Sequence, residues 1–495
     1  MAQERHRRPR GSHRHVLAAV GMSAANVVGI NAEIASAQSA IESSAQEEPR
    51  IPLSATGKNV VVLMMDRSAS CYLPALMYEK PELQEILDGF TYYPNTVSFG
   101  SATNVGAPAL YGGYEYTPER MNERADTPLS EKHDEALKVM PVLFDQNGYD
   151  VTVCDPSYAG YSWIPDLGIY DDYPDIKAFV TQDGRYDVEG FELSSTSDQE
   201  HAAWMRNFFC YSIFKIAPLV LQPALYNNGA YNSTNLPPIQ IRDSISMSTG
   251  VESGFMNSFG VLEHLEDITE ITQSDSSTFL MMANETTHEP ILLSEPDYIP
   301  AWKVDNTEYG ATRLVRQKVD GGSVTLASDT QMIHYHANMA AFLKLGAWLD
   351  YLRENGVFDN TRIIIVSDHA WPLGQNDEII VGDEGSGDVW DASVFNCMLL
   401  VKDFDASGPL QTDTAFMTNA DTPVLAMQGL INAPVNPFTG ATIDSSDKNA
   451  PELHLQYATY WQVNENNGNT FLPGNWFAVH DDITVNDNWR FLGEY

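Results

Sequence analysis

The sequence predicts an α/β fold: a large, mostly parallel sheet flanked by helices, with a small antiparallel addition at the C-terminal end. Three observations carry this. Two strand-length runs, Asn59–Met65 (NVVVLMM) and Arg362–Val366 (RIIIV), are apolar without alternation, as strands covered on both faces are. A long helix-period segment, Met332 to Asn355, precedes the second run by only the turn at Asp359–Asn360. Helix, short turn and buried strand in repetition require parallel strands joined by crossovers.

In chain order, the first element is a basic leader. The first fifteen residues hold Arg5, Arg7, Arg8, Arg10 and Arg14 against one Glu, while the whole chain carries 67 acidic and 28 basic residues, a net charge of −39. Val16 to Ile30 is mildly apolar, and small residues come next around Ala35 to Ala40. These are the ingredients of a secretory signal or an anchor remnant, and a plain basic leader stays open beside them. Residues 1–57 therefore read as leader and polar linker, residues 58–455 as the main domain, and residues 456–495 as the small addition. Glu135 to Asn147 reads as a helix with a kink or late start at Pro141, followed by a strand at Val151–Cys154. The stretch from about 155 to 275 is less regular, rich in Tyr, Trp, Ser and Asn, and reads as an insertion. Within it, Phe208 to Tyr226 is apolar but broken by Lys215, Pro218 and Pro223, which suits a buried or interfacial helix rather than a span. Thr278–Ala283 is a further strand. Met332 to Asn355 ends at Gly356, and the C-terminal Trp461, Trp476 and Trp489 suit short antiparallel strands. Cys71, Cys154, Cys210 and Cys397 are scattered without metal-binding spacing and read as core thiols. The acidic balance excludes a nucleic-acid partner.

The chemistry gathers where buried strands end. The first strand runs into Asp66-Arg67-Ser68, the Thr278 strand into NETTHEP with His288, and the last into Ser367-Asp368-His369. In open α/β sheets ligands bind beyond the carboxyl ends of the strands. Two carboxylates and an imidazole delivered to one edge suit a divalent ion such as Zn²⁺ or Mn²⁺. Small residues around Thr103 in FGSATNVGAPALYGG place it at a helix start, where the dipole favours a phosphoryl anion; a plain capping role is the alternative. His334 and His336, early in the long helix, read as a solvated face that could touch the same rim.

Asp66 closing the first strand, TNVGAP, TTHEP and GVFDNTRIIIVSDHA together resemble the alkaline phosphatase superfamily, in its sulfatase-like branch of lipoteichoic acid synthases and phosphoethanolamine transferases. MTNADTP at 417–423 and NPFTG at 436–440 extend the similarity. The resemblance implies Thr103 as nucleophile, Asp66, Thr103, Asp368 and His369 as ligands of one divalent ion (Mn²⁺ or Zn²⁺), and His288 as a catalytic group contacting the transferred moiety. Asn104 and His288 are the expected substrate-binding residues. The implied activity is transfer of a glycerol-phosphate or phosphoethanolamine head group from a phospholipid or phosphodiester donor to a glycan or glycerol-polymer acceptor, through a phospho-threonine. Hydrolysis of a phosphodiester or sulfate ester, or an inactive surface-binding module, are the alternatives. The implied location is extracytoplasmic, secreted or peripheral to the cell membrane. A formylglycine sulfatase needs a C/S-x-P-x-R motif. The near match at Cys154 has Tyr158 in place of Arg, so Cys154 reads as a core thiol.

Overall fold

Asn59–Met65 has no polar face beyond its first residue, and it forms strand β1 with all seven residues buried. The structure, a computed structural model, describes residues 48–191, 209–219, 221–222, 240–375, 379–382, 387–458 and 468–495. The basic leader, Trp461 and much of the Tyr-rich insertion lie outside these residues. The chain divides into two compact units, 1–48 with 193–238, and 49–192 with 239–495. Of the first, residues 209–216 are helical. The main sheet, the candidate site and the helices around it all belong to the second.

The remaining strands of the main sheet are β2 (Phe90–Tyr92), β3 (Asp150–Cys154), β4 (Lys177–Phe179), β5 (Thr278–Asn284), β6 (Thr361–Val366), β7 (Leu399–Lys402) and β8 (Gln411–Thr412). Their order is β8-β2-β7-β6-β1-β5-β3-β4. β1 lies between β5 and β6, parallel to both, and β3 and β4 continue parallel beyond β5. Only β7 runs antiparallel to its neighbours among the described strands of this sheet. Register sets the site: Met65 pairs with Asn284, and Met64 with Val366. The three central strands thus end almost level, and the loops leaving them converge.

Four helices surround or support the site: α1 (Thr103–Gly112), α2 (Leu129–Gln146), α3 (Ser253–Glu263) and α4 (Asp329–Glu354). α2 begins six residues earlier than the sequence suggests and runs through Pro141. Proline cannot donate to the carbonyl four residues back; the Tyr170 hydroxyl donates to that carbonyl, Leu137 O, at 3.2 Å instead. α4 starts at a capping box in which Ser328 and Gln331 satisfy each other's backbone. The segment read as linker contains a short buried strand, Ile51–Ser54, parallel to Thr269–Thr272.

At the C-terminal end, β9 (Leu453–Tyr457), β10 (Asn475–Val479) and β11 (Trp489–Glu494) form the antiparallel sheet expected there. It is stitched to the nucleophile loop. Gln456 N–H donates to Phe99 O (3.0 Å), Ser101 N–H to Gln456 O (3.2 Å), and Ala458 N–H to Ser101 Oγ (2.9 Å). Phe99, Ala109, Leu455, Phe477 and Trp489 share one apolar cluster. All four cysteines are free thiols, and Cys154 and Cys397 are buried.

Candidate active site

Asp66 is the first residue past β1, and Asp368 and His369 are the second and third past β6. All three are buried, at 3%, 0% and 1% exposure. One donor atom from each lies within 4.8 Å of the others. The chain after β1 turns sharply through Arg67, whose φ is +62°. That turn lets the Arg67 N–H donate to Asp368 Oδ1 (3.1 Å) and ties the two strand ends together.

Thr103 is the first residue of α1, and its hydroxyl donates to Asp66 Oδ2 at 3.3 Å. The capping position belongs to Ala102, which makes no side-chain cap. Thr103 therefore stands at the positive end of a ten-residue helix with its hydroxyl turned to the carboxylate pair rather than to its own backbone. Close approach of α1 to the Asp368 loop requires Gly106: a Cβ there would sit 2.5 Å from Asp368 O. Asn419, in the MTNADTP stretch, closes this contact by donating from Nδ2 to both Gly106 O (3.0 Å) and Asp368 O (3.3 Å).

The donor set fits a cation. Asp66 Oδ1, Asp368 Oδ2 and His369 Nε2 are buried without a hydrogen-bond partner. Nε2 lies 3.5 Å from Asp368 Oδ2 and 3.9 Å from Asp66 Oδ1. His369 Nδ1 lies 2.6 Å from Ala370 O, which assigns the proton to Nδ1 and leaves the Nε2 lone pair free. Burial, and then the neighbouring Asp66 charge, push the Asp368 carboxyl up. Two buried carboxylates facing each other without a counter-charge are costly unless paired or metal-bound. Asp66, Asp368 and His369, with Thr103 beside them, are the residues that would hold the ion.

His288 lies on the loop after β5, half-buried, with Nδ1 3.2 Å from Glu289 Oε1. The loop is tied to β1 by the Thr287 hydroxyl, which donates to Asp66 O. Burial opposes the imidazolium, but Asp66 and Glu289 outweigh it and hold the His288 pKa above its ordinary value. Asn104 is buried, its Nδ2 donating to the Tyr161 hydroxyl (3.3 Å) while Oδ1 has no partner. His334 and His336 do not form a solvated face: both are buried. His336 belongs to an ion cluster with Glu295, and His334 stacks on Trp371 at 5.7 Å. Helix periodicity failed here because α4 is covered on most of its circumference. Sequence reasoning missed Arg67, Asn419 and Trp371. Asn419 stood in a stretch already singled out, and Arg67 adjoined Asp66, but neither role is visible until the strand ends are superposed in space.

A family model described as Sulfatase matches residues 58–413. The chain belongs to the sulfatase family. It is a sulfatase-like enzyme of the hydrolase and transferase kind, and enzymes of this superfamily use divalent metals, which the Asp66–Asp368–His369 corner suits. Solved structures similar to it include a protein of the alkaline phosphatase superfamily from Vibrio parahaemolyticus (12% identity, 86% of this chain and 75% of that one, TM-score 0.45). Others are the lipoteichoic acid synthase LtaP from Listeria monocytogenes (10%, 86% and 86%, TM-score 0.43) and a phosphonate monoester hydrolase of Agrobacterium radiobacter (12%, 88% and 89%, TM-score 0.40). Identities this low carry no reading of substrate. Comparison with curated proteins gives no match. Cys154 is the last residue of β3, its thiol buried and its pKa raised by burial, as suits a core thiol.

Proposed function

We propose that this enzyme is a metal-dependent phosphotransferase working through a phospho-threonine on Thr103. The observation that carries this is the Thr103 hydroxyl, hydrogen-bonded to Asp66 beside three partnerless donor atoms. A threonine cannot be oxidised to the aldehyde of a formylglycine sulfatase, which favours direct attack by the hydroxyl. A bound Mn²⁺ or Zn²⁺ would lower the pKa of that hydroxyl and neutralise charge on the phosphoryl oxygens. Thr103 Oγ1 passes its proton to Asp66 Oδ2, its hydrogen-bond acceptor, and attacks phosphorus in line; the Thr–O–P bond forms as the bond to the leaving alcohol breaks, and His288, whose protonated form the site favours, gives that alcohol its proton. An acceptor hydroxyl then passes its proton to His288 and attacks phosphorus, and Thr103 departs as leaving group, taking its proton back from Asp66.

The donor is a phospholipid or phosphodiester with a glycerol-phosphate or phosphoethanolamine head group, and the acceptor is a cell-surface glycan or glycerol polymer. Support comes from the sequence resemblance and from the aromatic residues after β3, where Trp163 is 59% exposed. The basic leader supports an extracytoplasmic place, at or near the membrane; among the described residues no helix is long and apolar enough to cross one. The test is incubation of the metal-loaded enzyme with labelled phosphatidylglycerol or phosphatidylethanolamine and candidate glycans. Expected are a phosphoryl adduct on Thr103 by mass spectrometry and label on the acceptor. Label released only as free head-group phosphate would make the enzyme a phosphodiester hydrolase instead.

A further inference from the structure

Arg67 has an unusual setting for a base in so acidic a chain. With 67 acidic residues against 28 basic ones, carboxylate partners are abundant, and the buried arginines Arg316 and Arg362 take them: Arg316 pairs with Glu79 and Glu295, and Arg362 with Asp403. Arg67 has no carboxylate partner among the described residues. Its guanidinium instead lies over the Trp371 ring at 4.3 Å, and Trp371 is backed in turn by His334. Nη1 makes one long hydrogen bond, 3.4 Å to His288 O, and Nε is buried with no partner at all.

The position is set independently of the side chain. The left-handed φ of +62° and the N–H bond to Asp368 Oδ1 aim Arg67 from the turn that joins the metal corner. Its charge reaches the groups of the site: it opposes protonation of His288 and of His334, and favours ionisation of Tyr158. A guanidinium held over an indole is restrained by it, and its planar fork of donors matches two oxygens of a phosphate. A buried donor without an acceptor is rare unless something binds there.

We infer that Arg67 is a substrate-binding residue whose guanidinium takes the non-bridging oxygens of the group attacked by Thr103. It thereby offsets the repulsion between Asp66 and Asp368 and an anionic ester. The substrate class is then an ester carrying at least one negative charge on the transferred group. Naming that group phosphoryl rests on the proposed function; the anion site itself is tested apart from it.

The experiment measures binding of inorganic phosphate by calorimetry to the full-length protein, with and without Mn²⁺, for the parent, Arg67→Ala, Arg67→Lys and Trp371→Leu. In the metal-loaded protein, Arg67→Ala should weaken phosphate binding about 10- to 100-fold, the range of a charge-assisted pair. Arg67→Lys should restore part of it, since the charge returns without the fork. Trp371→Leu should cost less than Arg67→Ala, because the guanidinium stays but loses its platform. Metal stoichiometry and melting temperature should not move in either arginine variant, and KM for bis(p-nitrophenyl) phosphate should rise in step with phosphate affinity. No phosphate binding by the metal-loaded parent, or equal binding in parent and Arg67→Ala with metal retained, overturns the inference and leaves Arg67 a clamp on the His288 loop. If Arg67→Ala does not fold, full parental affinity in Arg67→Lys and Trp371→Leu together overturns it. Failure of the proposed function looks different: phosphate still binds through Arg67, yet Thr103 never acquires a phosphoryl group and no ester turns over.

Discussion

Glu79 and Glu295 are largely covered carboxylates with a histidine beside them, and Asp66 and Asp368 are fully buried ones with a histidine beside them, yet the two clusters are opposites. Around Glu79 and Glu295 each carboxylate oxygen is matched. Arg313 reaches both at 2.6 and 2.7 Å, and Arg316 at 2.8 and 3.0 Å. Tyr335 donates to Glu79 (2.9 Å), and Tyr298 does so as well. His336 accepts the Leu293 N–H on Nδ1 (3.0 Å), which assigns its proton to Nε2, 3.2 Å from Glu295. Two negative charges meet two positive ones. Around Asp66 and Asp368, no Lys or Arg side chain pairs with either carboxylate among the described residues, and one atom of each ligand is left bare. What separates a scaffold from a site is whether the polar atoms are spent, because a buried charge without a partner persists only where a ligand compensates it.

The largest effect that would break this contrast lies at the bare cluster. Thr103→Ala should lower turnover by at least about 10⁴-fold, as loss of a nucleophile does, with Thr103→Ser retaining part of the activity. Asp368→Asn should keep the fold and lose the ion, and the rise in melting temperature that metal gives the parent should vanish. Equal metal content in parent and variant by elemental analysis would remove the basis for the site.

The matched cluster should fail in stability instead. Glu295→Gln takes away one of the two carboxylates that Arg313 and Arg316 share and should cost about 3–5 kcal/mol of unfolding free energy by urea titration, with metal affinity unchanged. Acid sharpens the same point. Burial alone would raise the Glu295 carboxyl, but the His336 hydrogen bond and the charges of Arg316 and Arg313 outweigh it and hold it down to about 2. A folded pKa below the unfolded value of about 4.3 gives stability that is present above that pH and lost as pH falls toward about 2. The gap between parent and Glu295→Gln should therefore close across that window; a constant gap would show that ionisation is not what stabilises the cluster.

A smaller effect separates Asn419 from both clusters. It touches neither ligand atoms nor Thr103, but it binds the carbonyls of Gly106 and Asp368. Asn419→Ala should lower metal affinity about 10- to 100-fold, as the loss of groups that orient ligands does, with Asn419→Gln failing to rescue because its amide is displaced by one methylene. Unchanged affinity would make Asn419 a core residue only. Smallest is Tyr170→Phe, which leaves Leu137 O without its donor at Pro141. It should cost about 1 kcal/mol in stability and nothing in metal binding.

How much of this could be read from the chain depends on the range of the interactions. β1, β5 and β6 were legible because covered strands write their burial into consecutive residues, and Asp66, Asp368 and His369 came with them because a strand end fixes where its next residues go. Thr103 at a helix start was legible from small residues and the closing Gly112-Gly113. Pro141 misled, because the group that replaces its missing hydrogen bond, Tyr170, comes 29 residues later. His334 and His336 misled in the same way, because which faces of α4 are covered depends on Glu295, Trp371 and other segments far along the chain. The sequence by itself determined the central parallel strands, their ends and the identity of the donor atoms. Only the tertiary structure decided which charges are spent and which are bare: pairing is a property of distance, and Arg67, Asn419 and Glu295 acquire their partners, or lack them, from residues tens to hundreds of positions away.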